Sequence, residues 1–320
     1  MIASDDPRFA RLRGRRVLVT GGAGFIGSHL VRALQAIGAE AVVLDDFSTG
    51  LESNVPGGVT LVEASVENED AVQEAAAGCD VVFHQAAMVS VPQSVDDPAR
   101  CVSVNVLGTQ RVLTAAANAS VRRVVFASSC AVYGASPRLP SRETDPVEPA
   151  SPYAASKAAG ELLLRAASAT TPLSTVSLRY FNVYGPGQRA SGGYAAVISA
   201  FAEGLRSGRG VTIHGDGEQT RDFVFVSDVV RANLLAAASE RDLGGEAFNV
   251  GTGRGASLLE VLGVMREILN REGVVSFGPA RAGDVSDSCA SMEVMREAMS
   301  FDVAVHLHDG MARTVRDQEH

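Results

Sequence analysis

Tyr153 and Lys157, four residues apart, are the two side chains in this 320-residue chain best suited by type and spacing to move a proton. They follow Pro152 and lead into the proline-free run Ala158-Ala159-Gly160-Glu161-Leu162-Leu163-Leu164, which predicts the first turns of a helix. Residues four apart share a helix face, so phenol and ammonium are expected side by side. A neighbouring ammonium stabilises phenolate and lowers the tyrosine pKa from its usual value of about 10. Tuned in that way, Tyr153 can act as a general base toward a hydroxyl near neutral pH. A solvated lysine at an ordinary helix start has the same spacing, so the upstream elements decide between the two.

Those elements begin with the short apolar strand expected over 16–20. It runs into Gly21-Gly22-Ala23-Gly24-Phe25-Ile26-Gly27 and then the helix-like Ser28-His29-Leu30-Val31. Strand, glycine turn and helix in that order are the setting of a dinucleotide fingerprint, here spaced Gly-x-x-Gly-x-x-Gly. Glycine admits the pyrophosphate to the backbone, and the helix N-terminus faces its charge. A second strand over 41–44 ends at Asp45-Asp46, where Asp45 is expected to accept hydrogen bonds from the adenosine ribose. It would repel a 2′-phosphate, and Phe47-Ser48-Thr49-Gly50 offers no arginine, which selects NAD over NADP.

Further strands are expected over 59–63, 81–84, 123–127 and 174–178, with helices between them. This alternation implies an α/β fold built on a doubly wound parallel Rossmann sheet, with ligands beyond the carboxyl ends of its strands. After Gly185 the elements shorten and suggest a smaller C-terminal substrate lobe. The expected division gives residues 1–185 to the NAD-binding domain, with 222–250 returning to it, and residues 186–221 and 251–320 to the lobe. Within that return, a strand over 222–226 and a helix over 229–239 are expected to rejoin the main sheet. Residues 1–14, with Arg8, Arg11 and Arg13, read as a frayed polar leader.

Composition narrows the function classes. A net charge of −9 argues against nucleic acid as a partner, and any phosphate ligand must be met by local arginines. Four scattered cysteines and six histidines show no metal-ligand spacing. With no signal-peptide pattern and no apolar run of membrane length, the expected setting is the cytoplasm.

Together these residues resemble the extended short-chain dehydrogenase/reductase family, specifically its nucleotide-sugar 4-epimerases. The resemblance runs from Thr20 to about Ser291. It includes the glycine turn, Asp46-Phe47-Ser48-Thr49-Gly50, His84-Gln85-Ala86-Ala87, Asn105-Val106-Leu107-Gly108-Thr109 and Ser128-Ser129-Cys130-Ala131-Val132-Tyr133-Gly134. Tyr153 and Lys157, Arg179-Tyr180-Phe181-Asn182-Val183-Tyr184-Gly185, Gly215-Asp216-Gly217, Arg221-Asp222-Phe223 and Arg281-Ala282-Gly283-Asp284 follow in order.

The resemblance implies Ser129, Tyr153 and Lys157 as the catalytic set. It places NAD against Gly21, Gly24, Phe25, Ile26, Gly27, Asp45, Asp46, Ser48, Thr49 and Gly50. Ser65 and Val66 (where relatives place an adenine-contacting aspartate) extend that set, with Gln85, Ala86, Ala87, Asn105, Ser128, Tyr180, Asn182 and Val183. The substrate would meet Ser90, Cys130, Asn182, Arg189, Ala195, Ala196, Val197, Ile213, Gly215, Asp284 and Ser288, with Arg221 and Arg281 clamping its diphosphate. Lys157 would also bond the nicotinamide ribose, and the small Ser288 would leave a roomy sugar pocket. A homodimer is implied through helices matching 104–119 and 152–167.

Cys130 and Ala131 stand where family dehydratases carry an acid pair, so elimination chemistry is disfavoured and a UDP-hexose 4-epimerase is expected. Arg189, in Gly185-Pro186-Gly187-Gln188-Arg189, points first to the UDP-glucuronate/UDP-galacturonate pair, since a guanidinium could hold a C6 carboxylate. UDP-glucose or UDP-N-acetylglucosamine is the alternative. A non-catalytic NAD-binding regulator on the same fold is the reading from another class.

Overall fold

The computed structural model describes residues 6–135, 138–188, 197–279 and 287–317. Seven parallel strands form the central sheet: β1 (Arg16–Thr20), β2 (Glu40–Asp45), β3 (Thr60–Glu63), β4 (Val81–His84), β5 (Arg123–Ser129), β6 (Ser174–Tyr180) and β10 (Glu246–Val250). Their spatial order is β3-β2-β1-β4-β5-β6-β10, so the winding reverses between β1 and β4. That reversal opens the ligand crevice of a doubly wound sheet.

The strands read as continuous apolar runs because both faces are covered. Val17 and Val19 pack on the side of α1 (Phe25–Ala36) and α8 (Val226–Ala238). Leu18 points the other way, toward α2 (Glu69–Ala76), α5 (Gly108–Asn118) and α6 (Pro152–Thr170). Strands β5 and β6 run two residues beyond their expected ends. Their register pairs Ser128 with Arg179 and Ser129 with Tyr180, which places these residues at the crevice edge.

Two expectations change. Residues Pro7–Leu12 form a 3₁₀ turn capped by Asp6, with Phe9 and Leu12 fully buried, so this stretch of the leader is docked rather than frayed. Two apolar side chains three apart share a face and pull the segment down, leaving its arginines outside. The strand near 222 lies instead at Thr220–Phe225 (β9), in a separate sheet ordered β11-β9-β7, between β11 (Gly255–Ser257) and β7 (Asn182–Tyr184). An isolated apolar strand carries no mark of which sheet will take it. Helix α8 does pack beneath the main sheet, and β10 pairs with β6. A two-stranded parallel pair, β8 (Val211–His214) with β12 (Val275–Gly278), completes the second region beside α7 (Val197–Arg206) and α9 (Leu258–Leu269).

Helix α6 packs on β5 at residue 160, where only glycine leaves room for the Phe126 ring. A Cβ there would stand 2.5 Å from Cζ of Phe126. That approach brings Lys157, one turn earlier, against the end of β5.

Candidate active site

Strand β1 ends at Thr20 and hands the chain to Gly21, whose φ of +68° and contact with Ala86 exclude a side chain: an added Cβ would lie 2.7 Å from the Ala86 nitrogen. At Gly27 a Cβ would lie 2.0 Å from the Gly21 carbonyl oxygen. Helix α1 therefore starts directly on the turn, with Gly24 as its cap, no side-chain cap and no acidic residue in its first turn. Such an end leaves backbone N–H groups at Phe25, Ile26 and Gly27 suited to a pyrophosphate. The turn thus fits a dinucleotide. Asp45, nearly buried, accepts from the amides of Ala23 and Phe47, both at 2.9 Å. It braces the turn from behind, and a carboxylate with about four lone-pair sites can still accept from a ribose. Asp46 accepts the Ser48 amide, holding the exposed Ser48-Thr49 bend that leads to Gly50.

The far wall is the segment after β4. His84 is buried between two hydroxyls, with Nδ1 2.7 Å from Oγ1 of Thr20 and Nε2 2.9 Å from Oγ1 of Thr109. Thr109 gives its hydrogen to the Asn105 carbonyl, so it accepts from His84 Nε2–H, and Nδ1 accepts from Thr20. Burial holds this imidazole neutral, its pKa down to about 3. Gln85 donates to the Tyr180 hydroxyl at 3.1 Å and to Asn233 at 3.2 Å. Asn105 is buried and grips Met88, accepting from its amide at 2.7 Å and donating to its carbonyl at 3.0 Å. Ser65 turns its hydroxyl to Glu67, and Val66 is packed under Gly108.

Tyr153 stands in the first turn of α6, whose cap is Ser151 with Pro152 behind it. Ser129, at the end of β5, stands beside the Tyr153 hydroxyl and favours its ionised form. Lys157 is buried, donates to the Ala127 carbonyl at 2.8 Å, and sits 4.9 Å from the Phe126 ring centre and 5.8 Å from that of Tyr153. The three residues expected to do chemistry therefore meet. Their electrostatics differ from expectation. Burial pushes the Tyr153 phenol up to about 12, with the Ser129 hydroxyl working against it, and pushes Lys157 down to about 8. The ammonium is engaged by a backbone carbonyl, so in the protein alone it does not lower the tyrosine.

Around this centre, burial raises the Cys130 thiol to about 12, which removes it as a nucleophile near neutral pH. The Asp222 charge on β9 adds to that rise and the Arg221 charge beside it opposes it. Arg221 is nearly buried and donates to the Thr220 carbonyl at 2.8 Å. Its neighbour Asp222 is fully buried and collects the amides of Thr252, Gly253 and Ala290. Ser288 is buried against β9, 3.4 Å from the Asp222 amide. Ser90 caps α3 (Val91–Asp96). Asn182 and Val183 open β7, Val197 opens α7, and Gly215 turns out of β8 at φ +86°.

Two expected side chains are directed elsewhere. Ser128 is buried and donates to Glu161 at 2.5 Å, which leaves only its backbone for a cofactor. Ile213 is in the hydrophobic core. Arg189, Ala195, Ala196, Arg281 and Asp284 lie outside the described residues. Sequence reading missed the site roles of His84, Ser94 and Ser156, as well as the buried pair Glu161–Arg179. His84 at a strand end and Ser156 beside Lys157 were in quoted or adjacent motifs, whereas Ser94 and Glu161 carry no local signal. Among the described residues no three metal-ligating side chains cluster, and no helix is long and apolar enough to cross a membrane.

A glycine turn at a topological switch point facing a Ser-Tyr-Lys set defines a short-chain dehydrogenase/reductase-type enzyme that uses NAD. Residues 17–251 match the NAD dependent epimerase/dehydratase family, and the chain belongs to it. It is 41% identical to the UDP-glucose 4-epimerase of Mycolicibacterium smegmatis over 307 residues, covering 94% of this chain and 97% of that one. The UDP-glucose 4-epimerase of Thermus thermophilus, solved with NAD, superposes with a TM-score of 0.87 at 40% identity, covering 95% and 99% of the two chains. A UDP-glucuronic acid 4-epimerase from Bacillus cereus reaches 0.88 at 28% identity over 95% and 99%.

Proposed function

We propose that this NAD-dependent UDP-sugar 4-epimerase interconverts UDP-glucose and UDP-galactose. The observation that carries the reading is the meeting of Ser129, Tyr153 and Lys157 over a glycine turn that fits a dinucleotide. The choice of sugar is supported by the 40–41% identity to two UDP-glucose 4-epimerases, against 28% for the glucuronate enzyme. That comparison displaces UDP-glucuronate, which Arg189 had put first.

Bound NAD would supply reversible hydride acceptance at the sugar C4. Tyr153 takes the proton of the 4-hydroxyl, with Ser129 bridging the two oxygens. Lys157 would hold the nicotinamide ribose, and its charge would lower the phenol into working range. The 4-keto sugar turns about its diphosphate, which Arg221 and Arg281 hold, and Tyr153 gives the proton back on the other face. Cys130 and Ala131, the two residues after Ser129, supply no acid for elimination.

A panel of UDP-galactose, UDP-glucose, UDP-N-acetylglucosamine and UDP-glucuronate, with C4 epimers separated by chromatography, tests the choice. The expected order places UDP-galactose and UDP-glucose ahead of the others. A higher kcat/KM for UDP-glucuronate would restore the carboxylate reading.

A further inference from the structure

The first turn of α6 accounts for its own orphan amides except one. Pro152 has none, Ser151 Oγ accepts the Ala154 amide at 3.1 Å, and Ala155 begins the helical ladder on the Ser151 carbonyl. The remaining amide belongs to Tyr153, and it donates to Oγ of Ser94, on α3, at 3.1 Å. On the other side of the same residue, Ser156 Oγ donates to the Tyr153 carbonyl at 2.7 Å. Ser156 in turn accepts from Asn105 Nδ2 at 2.9 Å, and Asn105 holds both the amide and the carbonyl of Met88. Ser94, Ser156 and Asn105 are all buried. Asn105 reaches this position from a widened π turn between α4 (Pro98–Val102) and α5.

We infer that Ser94 and Ser156 are positioning residues that fix the backbone of Tyr153 to the segment between β4 and α3. One tether ends at Ser94, in the helix that this segment leads into, and the other reaches the segment itself at Met88, through Ser156 and Asn105. The phenol and the crevice wall at Gln85–Ala87 consequently move as one body, so the distance between base and bound sugar is set by backbone, not by side-chain packing alone. A displacement of about 1 Å at a reacting group costs up to roughly 10²-fold in rate. The inference rests on Tyr153 being the base.

The test measures kcat and KM on UDP-galactose for Ser94→Ala, Ser156→Ala and Ser156→Thr, alone and combined with Tyr153→Phe, with each rate normalised to bound NAD. The two alanine variants should lose about 10-fold in kcat with KM and NAD content unchanged. Ser156→Thr, which keeps the hydroxyl, should recover most of that loss. In the Tyr153→Phe background, Ser94→Ala should cost nothing further, because the group it positions is gone. Lower melting temperatures with unchanged kcat per bound NAD would overturn the inference and leave the serines structural. A full additional loss in the Tyr153→Phe background would overturn it too. Undiminished turnover by Tyr153→Phe alone would remove the base assignment and the inference with it.

Discussion

Lys157 donates to the Ala127 carbonyl at 2.8 Å, while its Nζ lies 5.8 Å from the Tyr153 ring centre. The ammonium therefore rests on β5 and not on the residue it serves. Burial makes its charged form costly and holds its pKa down to about 8, against 10.5 for the free side chain. Between those two values the unfolded chain binds more protons than the folded one, so this residue's contribution to stability rises with pH. Lys157→Met removes a penalty of roughly 3 kcal/mol at neutral pH, offset in part by the orphaned Ala127 carbonyl. The melting difference between Lys157→Met and wild type, both freed of NAD, should favour methionine most below pH 8 and shrink toward pH 10.5. Turnover should fall at every pH. A melting difference that is flat with pH would show that the lysine is not held in its low-pKa setting.

The glycine turn makes a second prediction. Gly27→Ala puts a methyl 2.0 Å from the Gly21 carbonyl oxygen, a backbone atom that cannot yield without moving the turn. The protein should fold, since β1 and the rest of α1 are untouched, but should retain far less NAD through purification. The absorbance of extracted dinucleotide measures this. Full NAD occupancy in Gly27→Ala would remove the turn from pyrophosphate binding.

Beneath the catalytic helix, Arg179 forms a two-pronged pair with Glu161, Nη2 to Oε2 at 2.7 Å and Nε to Oε1 at 2.9 Å, and Ser128 adds a third bond. Both partners are buried. Glu161→Gln leaves a buried guanidinium without its counter-charge and should lower stability by about 3–5 kcal/mol in denaturant unfolding. Loss of less than about 1 kcal/mol would mean that water or Glu143 takes over the charge.

How much of this was legible in the residues follows from how local each signal is. The turn at Gly21–Gly27 and the pair Tyr153 and Lys157 depend on spacings within one or two helical turns, and all of these residues stand where expected. The parallel sheet was legible from apolar runs such as Val17-Leu18-Val19, because both faces are covered. What failed needs long-range partners. Tyr153 sits near a pKa of 12 because burial raises it while the lysine's charge faces Ala127, thirty residues earlier in the chain. Glu161 finds Arg179 only once α6 lies on β6. The strand Thr220–Phe225 looks like any sheet strand until β7 and β11 flank it, and Phe9 with Leu12 reads as leader until α8 is present to cover it.

Surface composition yields a proposal on assembly. Leu107 and Leu162 are 49% and 63% exposed on or beside the helices through which the family resemblance implies a dimer. Leu162→Asp should convert a dimer to a monomer in light scattering, since a charge there would be buried without a partner. An unchanged mass for a dimeric protein would place the interface elsewhere.

Deuterium at C4 reports most directly on hydride removal and return there with Tyr153 as base. UDP-galactose carrying deuterium at C4 is incubated with enzyme containing its own NAD, and the UDP-glucose formed is examined by mass spectrometry and NMR. Deuterium should be retained at C4 of the product. In Tyr153→Phe, with native melting and full NAD, the same conversion should slow by at least roughly 10²-fold. Deuterium lost to solvent, or a Tyr153→Phe enzyme that converts the sugar at the wild-type rate, would contradict the account.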